Sequence, residues 1–435
     1  MADSTLASWA AFLFELKGAV HRAFPTEAPF LAELSGVEDP DRVGRFTRDM
    51  DGNRSIFSGS QVRHTLMPAQ LPGAGFVKES STWNVPHALD SKKVTINLVR
   101  ALVPFGLTVD VERDSYDNSN AAAIAQNVKE ARVALARLEN LAFLGDGTGL
   151  QIDITDSATS LTTTCGVGAN FDVLLPGTVW DLLTRSTGAD PGQGLRRKIA
   201  SVNETTRVIT WDTAQQASDG GSGSIVHSST TGIYIPGSWS NGTGDAAPGA
   251  LVAQGLEQAA AITGTFEGLD KAALVVWQGT DGRAGDTATV ALSMQMLDGA
   301  VRRGRRAGIG VWDFAIGDPG VIDLYKQGLY AQARYDISDM KLKSGFSGVM
   351  FDGADKPFPL IKDPAAPKSK LKLIEKDSFQ LYGDQAGPSF LEDDGAMFRR
   401  FSRTLAKEAE LLDRVQLGVT KCNTIVFLNS LAVAA

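Results

Sequence analysis

The chain has 435 residues, 50 of them acidic and 42 basic, for a formal net charge of −8. That length holds roughly two to four folded units, and the acidity argues against a surface built for generic nucleic-acid binding. The two cysteines, Cys165 and Cys422, lie far apart among four scattered histidines, which excludes a disulfide framework and gives no zinc pattern.

The opening, MADSTLASWAAFLFELKGAV, is apolar but lacks a basic start and is interrupted by Glu15 and Lys17. It reads as an amphipathic arm and not as a signal peptide. No apolar run reaches the length of a membrane span, and synthesis in a reducing intracellular compartment is expected. Leu6, Trp9, Leu13, Leu16 and Val20 share a helical face, with Phe12 and Phe14 beside it. That face needs a partner, either its own domain or a neighbouring subunit. Residues 32–57 are polar and read as irregular. Asp49, Asp51 and Asn53 alternate like the start of a calcium loop, but the glycine is misplaced and no glutamate closes it.

Residues 59–113 read as a long two-armed β-excursion. Gln61 to Met67 forms one arm, and Leu71-Pro-Gly-Ala-Gly75 is turn chemistry. Val94, Ile96 and Leu98 alternate on one face, and Leu107, Val109 and Val111 continue the pattern. The middle, Phe76 to Asp90, has too few apolar groups for a core. Such a hairpin has to lie on something else, its own body or a neighbour.

Ser119 to Leu144 is the strongest helix signal. Ile124, Val128, Ala131, Leu135, Leu138 and Ala142 share one face, and Lys129, Glu130, Arg132, Arg137 and Glu139 fill much of the rest. Asp117, Asn118 and Ser119 are capping types at its start, and Gly145 and Gly147 stop it. The helix would be on the order of 40 Å long. The following Gly-Asp-Gly-Thr-Gly-Leu resembles a dinucleotide loop only superficially. A helix precedes it and β-like sequence follows, the reverse of the order that such a loop requires.

Residues 150–245 are rich in Thr, Ser, Gly and Val and read as a small inserted antiparallel β-unit. Its strand candidates are Val173 to Trp180, Lys198 to Val202, Arg207 to Trp211, Ser224 to His227 and Gly232 to Ile235, with a turn at Asn203-Glu204-Thr205. Asp286 to Gly304 reads as a second helix, with Val290, Met294, Leu297 and Val301 in register, closed by Arg302, Arg303, Arg305 and Arg306. The arginines suit a solvated helix end, a subunit contact or a phosphate contact; the overall acidity places the phosphate contact last. Val321 to Arg334 reads as a third helix, with Val321, Leu324, Tyr325 and Leu329 inward. Short strands follow at Phe346 to Phe351, Pro357 to Ile361, Leu371 to Ile374 and Phe379 to Tyr382, and Arg399 to Val426 mixes helix-like and strand-like patterns.

No nucleophile elbow, phosphate loop or metalloprotease motif is present. His21, His64, His87 and His227 lack spaced carboxylate or thiol partners, and Glu392-Asp393-Asp394 is an acidic run of the kind usually solvated. The expectation is therefore no catalytic, cofactor-binding or metal-binding residue, no cofactor and no enzyme.

Four stretches in order carry a resemblance: Val94 to Asp117, Arg137 to Gly149, Asp318 to Asp336 and Gly348 to Asp363. The chain resembles the major capsid proteins of tailed bacteriophages, over about residues 45–150 and 250–430. The resemblance implies an α+β, Hong Kong 97-type capsid fold. Its parts would be an N-terminal arm (1–58), an extended β-hairpin loop (59–113), a peripheral-domain spine helix (114–149), an inserted β-domain (150–245), and the rest of the peripheral domain with the axial domain (246–435). It implies self-assembly as pentamers and hexamers into an icosahedral shell around double-stranded DNA. The partners it implies are scaffolding, portal and decoration proteins, with no membrane and no sequence-specific DNA binding, and the location is the virion after assembly in the host cytoplasm. The insertion resembles the β-domains that some members carry. No long helical scaffolding segment precedes the arm, so scaffolding would come from a separate protein. Some members form a lysine–asparagine cross-link; Lys78 is the candidate here, with a solvated lysine as the plainer reading. The alternatives are a bacterial nanocompartment shell around cargo enzymes, or a soluble enzyme or carbohydrate-binding protein.

Overall fold

The computed structural model describes residues 28–35, 45–47, 57–58, 61–66, 91–108, 119–192, 194–212, 224–240, 249–308, 310–331, 340–341, 347–352, 356–384, 387–391, 399–400 and 406–434. The N-terminal face, the Asp49 to Asn53 stretch, the Leu71 to Gly75 turn, Lys78 and the Glu392 to Asp394 run lie outside these residues.

The longest described strand is Ala406–Val419. Ala409, Leu411, Asp413, Val415, Leu417 and Val419 alternate along it and are all buried. One edge pairs antiparallel with Val99–Thr108, from Val415 opposite Val99 to Ala406 opposite Thr108. The other edge takes three short antiparallel strands in succession, Phe379–Gly383, Ser389–Phe390 and Arg399–Arg400. This corrects two expectations. The mixed pattern after Arg399 is mainly strand, because pairing on both edges overrides the helix propensity of its Lys, Glu and Leu residues. And Val99–Thr108 belongs to this ladder, so it is not the returning arm of the excursion.

The helix Ser119–Leu144 has the expected bounds. Val128 and Leu135 pack with Leu411 and Phe390, and Ala101, Val103 and Phe105 complete that cluster. Leu138 is half-buried. The rest of its surface is not all solvated: Arg132, Glu139 and Asn140 are buried, as are Leu141, Phe143 and Leu144. Its last turns are enclosed because two further elements meet there. Gly145 O accepts the Glu257 N–H at 3.1 Å, from the short helix Leu256–Ala260. A Cβ on Gly255 would stand 2.3 Å from Gly145 O and 2.7 Å from Ala142 O, so this approach requires glycine. The Asp146 carboxylate accepts the Thr148 N–H at 2.9 Å and its hydroxyl at 2.6 Å, closing the turn.

A six-stranded antiparallel sheet follows, in the order Leu150–Asp153, Thr231–Tyr234, Val179–Thr184, Arg197–Asn203, Val208–Trp211, Thr162–Thr164. The antiparallel unit and its Asn203 turn, where Asn203 Oδ1 accepts the Thr206 N–H at 3.1 Å, are as expected. Three strands, Leu150–Asp153, Ala158–Ser160 and Thr162–Thr164, were not. The Val173 candidate is a 3-10 turn, and that strand starts at Val179. Its interior, with Ile152, Trp180, Ile209 and Trp211, is continuous with Phe143 and Leu144 at the end of the long helix.

The third body is a seven-stranded mixed sheet, in the order Thr280–Asp281, Val426–Leu428, Leu371–Ile374, Phe314–Gly317, Phe358–Lys362, Ser347–Phe351, Met340–Lys341. Helices Met294–Gly308 and Pro319–Ala331 pack on it through Leu297, Val301, Val321, Ile322 and Tyr325. The first of these is shorter than its sequence pattern. Residues before Ser293 are not helical: Asp286 closes a turn with Arg283, 2.9 Å away, and Val290 bridges Leu431. Ser293 Oγ then accepts the Met296 N–H at 3.3 Å and starts the helix. The arginine cluster lies inside the helix, which runs on to Gly308. No described helix is long and apolar enough to cross a membrane.

Leu135, about 1% exposed at the centre of the helix face, tests this packing. Leu135→Ala should lower unfolding stability by about 2–4 kcal/mol, and Leu135→Pro by on the order of 3 kcal/mol or more with loss of helical signal. Chemical unfolding followed by circular dichroism measures both. Unchanged midpoints would mean that the helix does not rest on the long strand.

Candidate functional site

Two chain exits are fixed to this body with particular care. The first is the base of the excursion. Gln61–Leu66 pairs antiparallel with Lys92–Asn97, with Gln61 opposite Asn97 and Leu66 opposite Lys92. Residues 67–91 therefore leave and return at neighbouring points, about 5 Å apart. The face of this pair buries Val62, Val94, Ile96 and Leu98 against Tyr382, with Leu269 packed alongside. Gly418 makes room for this: a Cβ there would stand 2.3 Å from Tyr382 Cε2 and 2.9 Å from Ile96 Cδ1.

Leu269 belongs to the hairpin Thr265–Phe266/Leu269–Asp270, whose two central residues, Glu267 and Gly268, have φ of 49° and 79°. Two positive φ values are what a type I′ turn requires, and Asn-Gly or Asp-Gly is the usual choice. The Glu267 carboxylate is fully buried and accepts the Val419 N–H at 2.8 Å, at the end of the long strand. Its carbonyl accepts the Thr95 N–H of the excursion at 3.3 Å. Its own N–H donates to Gln254 Oε1 at 3.1 Å. Lys271, also buried, donates from Nζ to Ala259 O at 2.5 Å and Ala261 O at 2.9 Å, and lies 5.3 Å from the Phe266 ring centre. Burial pushes the Glu267 acid up to about 8, against the pull of the Val419 N–H and Lys271. Burial likewise lowers the Lys271 ammonium, against the charges of Cys422 and Glu267. This hairpin joins excursion, long strand and short helix.

The second exit is where the described chain begins. In helix Pro29–Ser35, the Phe30 N–H donates to Asp363 Oδ2 at 3.3 Å, and the Leu31 N–H to Asn140 Oδ1 at 3.3 Å. Asn140 Nδ2 donates to both Asp363 oxygens, at 3.2 and 3.0 Å. Burial raises the Asp363 acid, opposed by Asn140 and the Ala365 and Phe30 N–H groups. Lys376 Nζ reaches Glu33 at 3.0 Å. The helix that opens the described chain is thus anchored to the long helix Ser119–Leu144 and to the seven-stranded sheet at once.

Other charged groups pair within the body. Glu257 is flanked by Lys370 and Lys372; burial alone would raise its acid, but the two lysines hold it down at about 2. His227, expected to lack a carboxylate partner, has one: its buried Nε2 lies 3.3 Å from Asp156 Oδ1. Sequence spacing could not show this, because the contact is made across the paired strands Ala158–Ser160 and Ile225–His227. Burial, with Asp156 adding to it, pushes the nearby Cys165 thiol up to about 12, so it stays protonated. Cys422 is buried and raised as well, and both cysteines are free. Of the other histidines, His64 lies on Gln61–Leu66, while His21 and His87 fall outside the described residues. Among the described residues no group of three or more His, Cys, Asp or Glu is placed to hold a metal ion.

Solved structures with a similar course of chain include phage capsids and an encapsulin. The capsid of Cyanophage A-1(L) matches with a TM-score of 0.49 at 12% identity, over 93% of each chain. The encapsulin complex of Synechococcus elongatus matches with a TM-score of 0.40 at 10% identity, over 90% of this chain and 91% of that one. Mycobacterium phage Adephagia matches with a TM-score of 0.38 at 11% identity, over 87% of each. No family model matches the chain and no curated protein matches it.

The raised Glu267 acid has a consequence for stability. Its folded value, about 8, lies above that of a free glutamate, near 4.3. The folded state therefore holds a proton that the unfolded chain has released. This contribution is complete below about pH 4 and is lost as pH rises through about 8. Wild type should lose on the order of a few kcal/mol between about pH 5 and pH 8 from this group. Glu267→Gln keeps the acceptor for Val419 and removes the titration, so its thermal midpoint should fall less over that interval. Equal slopes for the two proteins would remove Glu267 as the cause.

Proposed function

We propose that the chain is the subunit of an icosahedral shell, assembling as pentamers and hexamers around viral double-stranded DNA. The observation that carries this is the paired base of the excursion. Residues 67–91 are emitted from one anchored point, and their sequence is too poor in large apolar groups to form a core of its own. Loops of this length in a folded body are uncommon unless they are functional. A neighbouring copy is the surface that such a segment fits. The anchored start at Ala28 and Phe30 supports the same reading for the apolar N-terminal arm.

In this reading the long helix and the ladder of Ala406–Val419 form the peripheral domain, and the seven-stranded sheet with its two helices forms the axial domain. The six-stranded sheet is the insertion. The buried cysteines, the proton-holding Glu267 and the lysine-clamped Glu257 are structural, and no catalytic residue is assigned. Scaffolding, portal and decoration proteins are the further partners, in a virion assembled in the host cytoplasm. Expansion on filling is a rigid-body rotation of subunits, with the excursion and the long helix flexing.

Electron microscopy of the purified full-length chain tests this. Large icosahedra, empty or DNA-filled, are expected. Small particles filled with protein cargo would favour a nanocompartment, and small oligomers without shells would contradict both. Deleting Ala69 to Asp90 should leave a soluble subunit that forms no shells; normal shells from that deletion would remove the role given to the excursion.

A further inference from the structure

Helix Met294–Gly308 concentrates positive charge in a chain that is acidic overall. It buries Leu297, Ala300, Val301 and Gly304 on one side. At roughly 100° per residue, Arg302, Arg303, Arg305 and Arg306 fall within about 160° of the other side. Arg302 and Arg306 are exposed and stand one turn apart. Arg303 turns back to donate to Gly282 O. Asn423 Nδ2 donates to Ala307 O at 2.9 Å, which brings the turn carrying exposed Lys421 against the end of the helix. The nearest acid on that arc, Asp298, is half-buried and acts on Tyr325 of the next helix.

We propose that this face, built from Arg302, Arg306 and Lys421, binds the phosphate backbone of nucleic acid. The helix dipole accounts for cations only in the last turn, and Arg302 lies before it. A subunit interface takes an apolar centre with a polar rim, and the outward arc from Gln295 to Arg306 exposes no apolar side chain. Phosphate needs no such centre, and the guanidinium fork matches its oxygens in pairs. The overall acidity, which told against phosphate at the level of sequence, describes the whole surface. It confines a phosphate contact to this face and does not oppose it. The identity of the polyanion rests on the shell reading, in which it would be the enclosed DNA.

The test is fluorescence anisotropy of the full-length chain, held as unassembled subunits by dilution, with a labelled random-sequence DNA duplex of about 20 base pairs. Wild type is compared with the double variant Arg302→Gln/Arg306→Gln, and both are imaged for shells. The variant should bind on the order of tenfold more weakly at about 50 mM salt, with a log–log salt slope shallower by about two, and should assemble as wild type does. Equal affinity and slope, or no duplex binding by wild type, would overturn the proposal. Loss of assembly in the variant, whatever its duplex binding, would assign the face to a contact between copies and overturn it too. If wild type forms no shells while duplex binding follows the arginines, the shell reading fails and the phosphate site stands.

Discussion

The pairing of Val99–Thr108 with Ala406–Val419 is the interaction on which the other parts depend. It joins a segment ahead of the long helix to one near the end of the described chain. The helix lies on its face through Val128 and Leu135. Its free edge collects the Phe379–Arg400 strands. The strand returning from the excursion ends two residues before it, at Asn97, and is fastened at that same end through Glu267, which holds both Thr95 and Val419. Closing so long a loop costs entropy, and the ladder offsets it with backbone hydrogen bonds and two faces of side chains. The excursion base is a sheet of its own, but its second strand, Lys92–Asn97, runs on into Val99 of this ladder, so a load on the base would pass through the ladder to the long helix.

Local signals were legible and non-local ones were not. The long helix could be bounded to the residue because its apolar spacing, its capping types and its glycine stop agree. Strands Lys92–Asn97, Val208–Trp211 and Leu371–Ile374 alternate or carry dense apolar runs, and were also read. The strand Ala406–Val419 was obscured because its Ala, Lys, Glu and Leu residues favour helix in isolation; only its two partners make it a strand. The helix expected from Asp286 starts later for the same kind of reason, since Val290 is claimed by Leu431.

The anchoring hairpin was the main feature missed. A signal was present, Phe266-Glu-Gly-Leu269, two residues between two apolar ones. It was weak because glutamate is not the residue a type I′ turn prefers. The structure gives the reason for that choice: the longer side chain reaches the Val419 N–H from a strained position. Strain of this kind persists where the surroundings over-determine it, and here Thr95, Gln254 and Val419 all hold one residue. The His227–Asp156 pair is likewise a product of strand register, invisible in the order of residues.

In the proposed shell, the body is a platform from which two segments reach toward other copies. The most direct measurement is an electron cryo-microscopy map of assembled particles, traced through residues 66–92. The account predicts that the chain leaves one subunit at Leu66, crosses a neighbouring copy and returns at Lys92. A trace in which this segment folds back wholly onto its own subunit would contradict it.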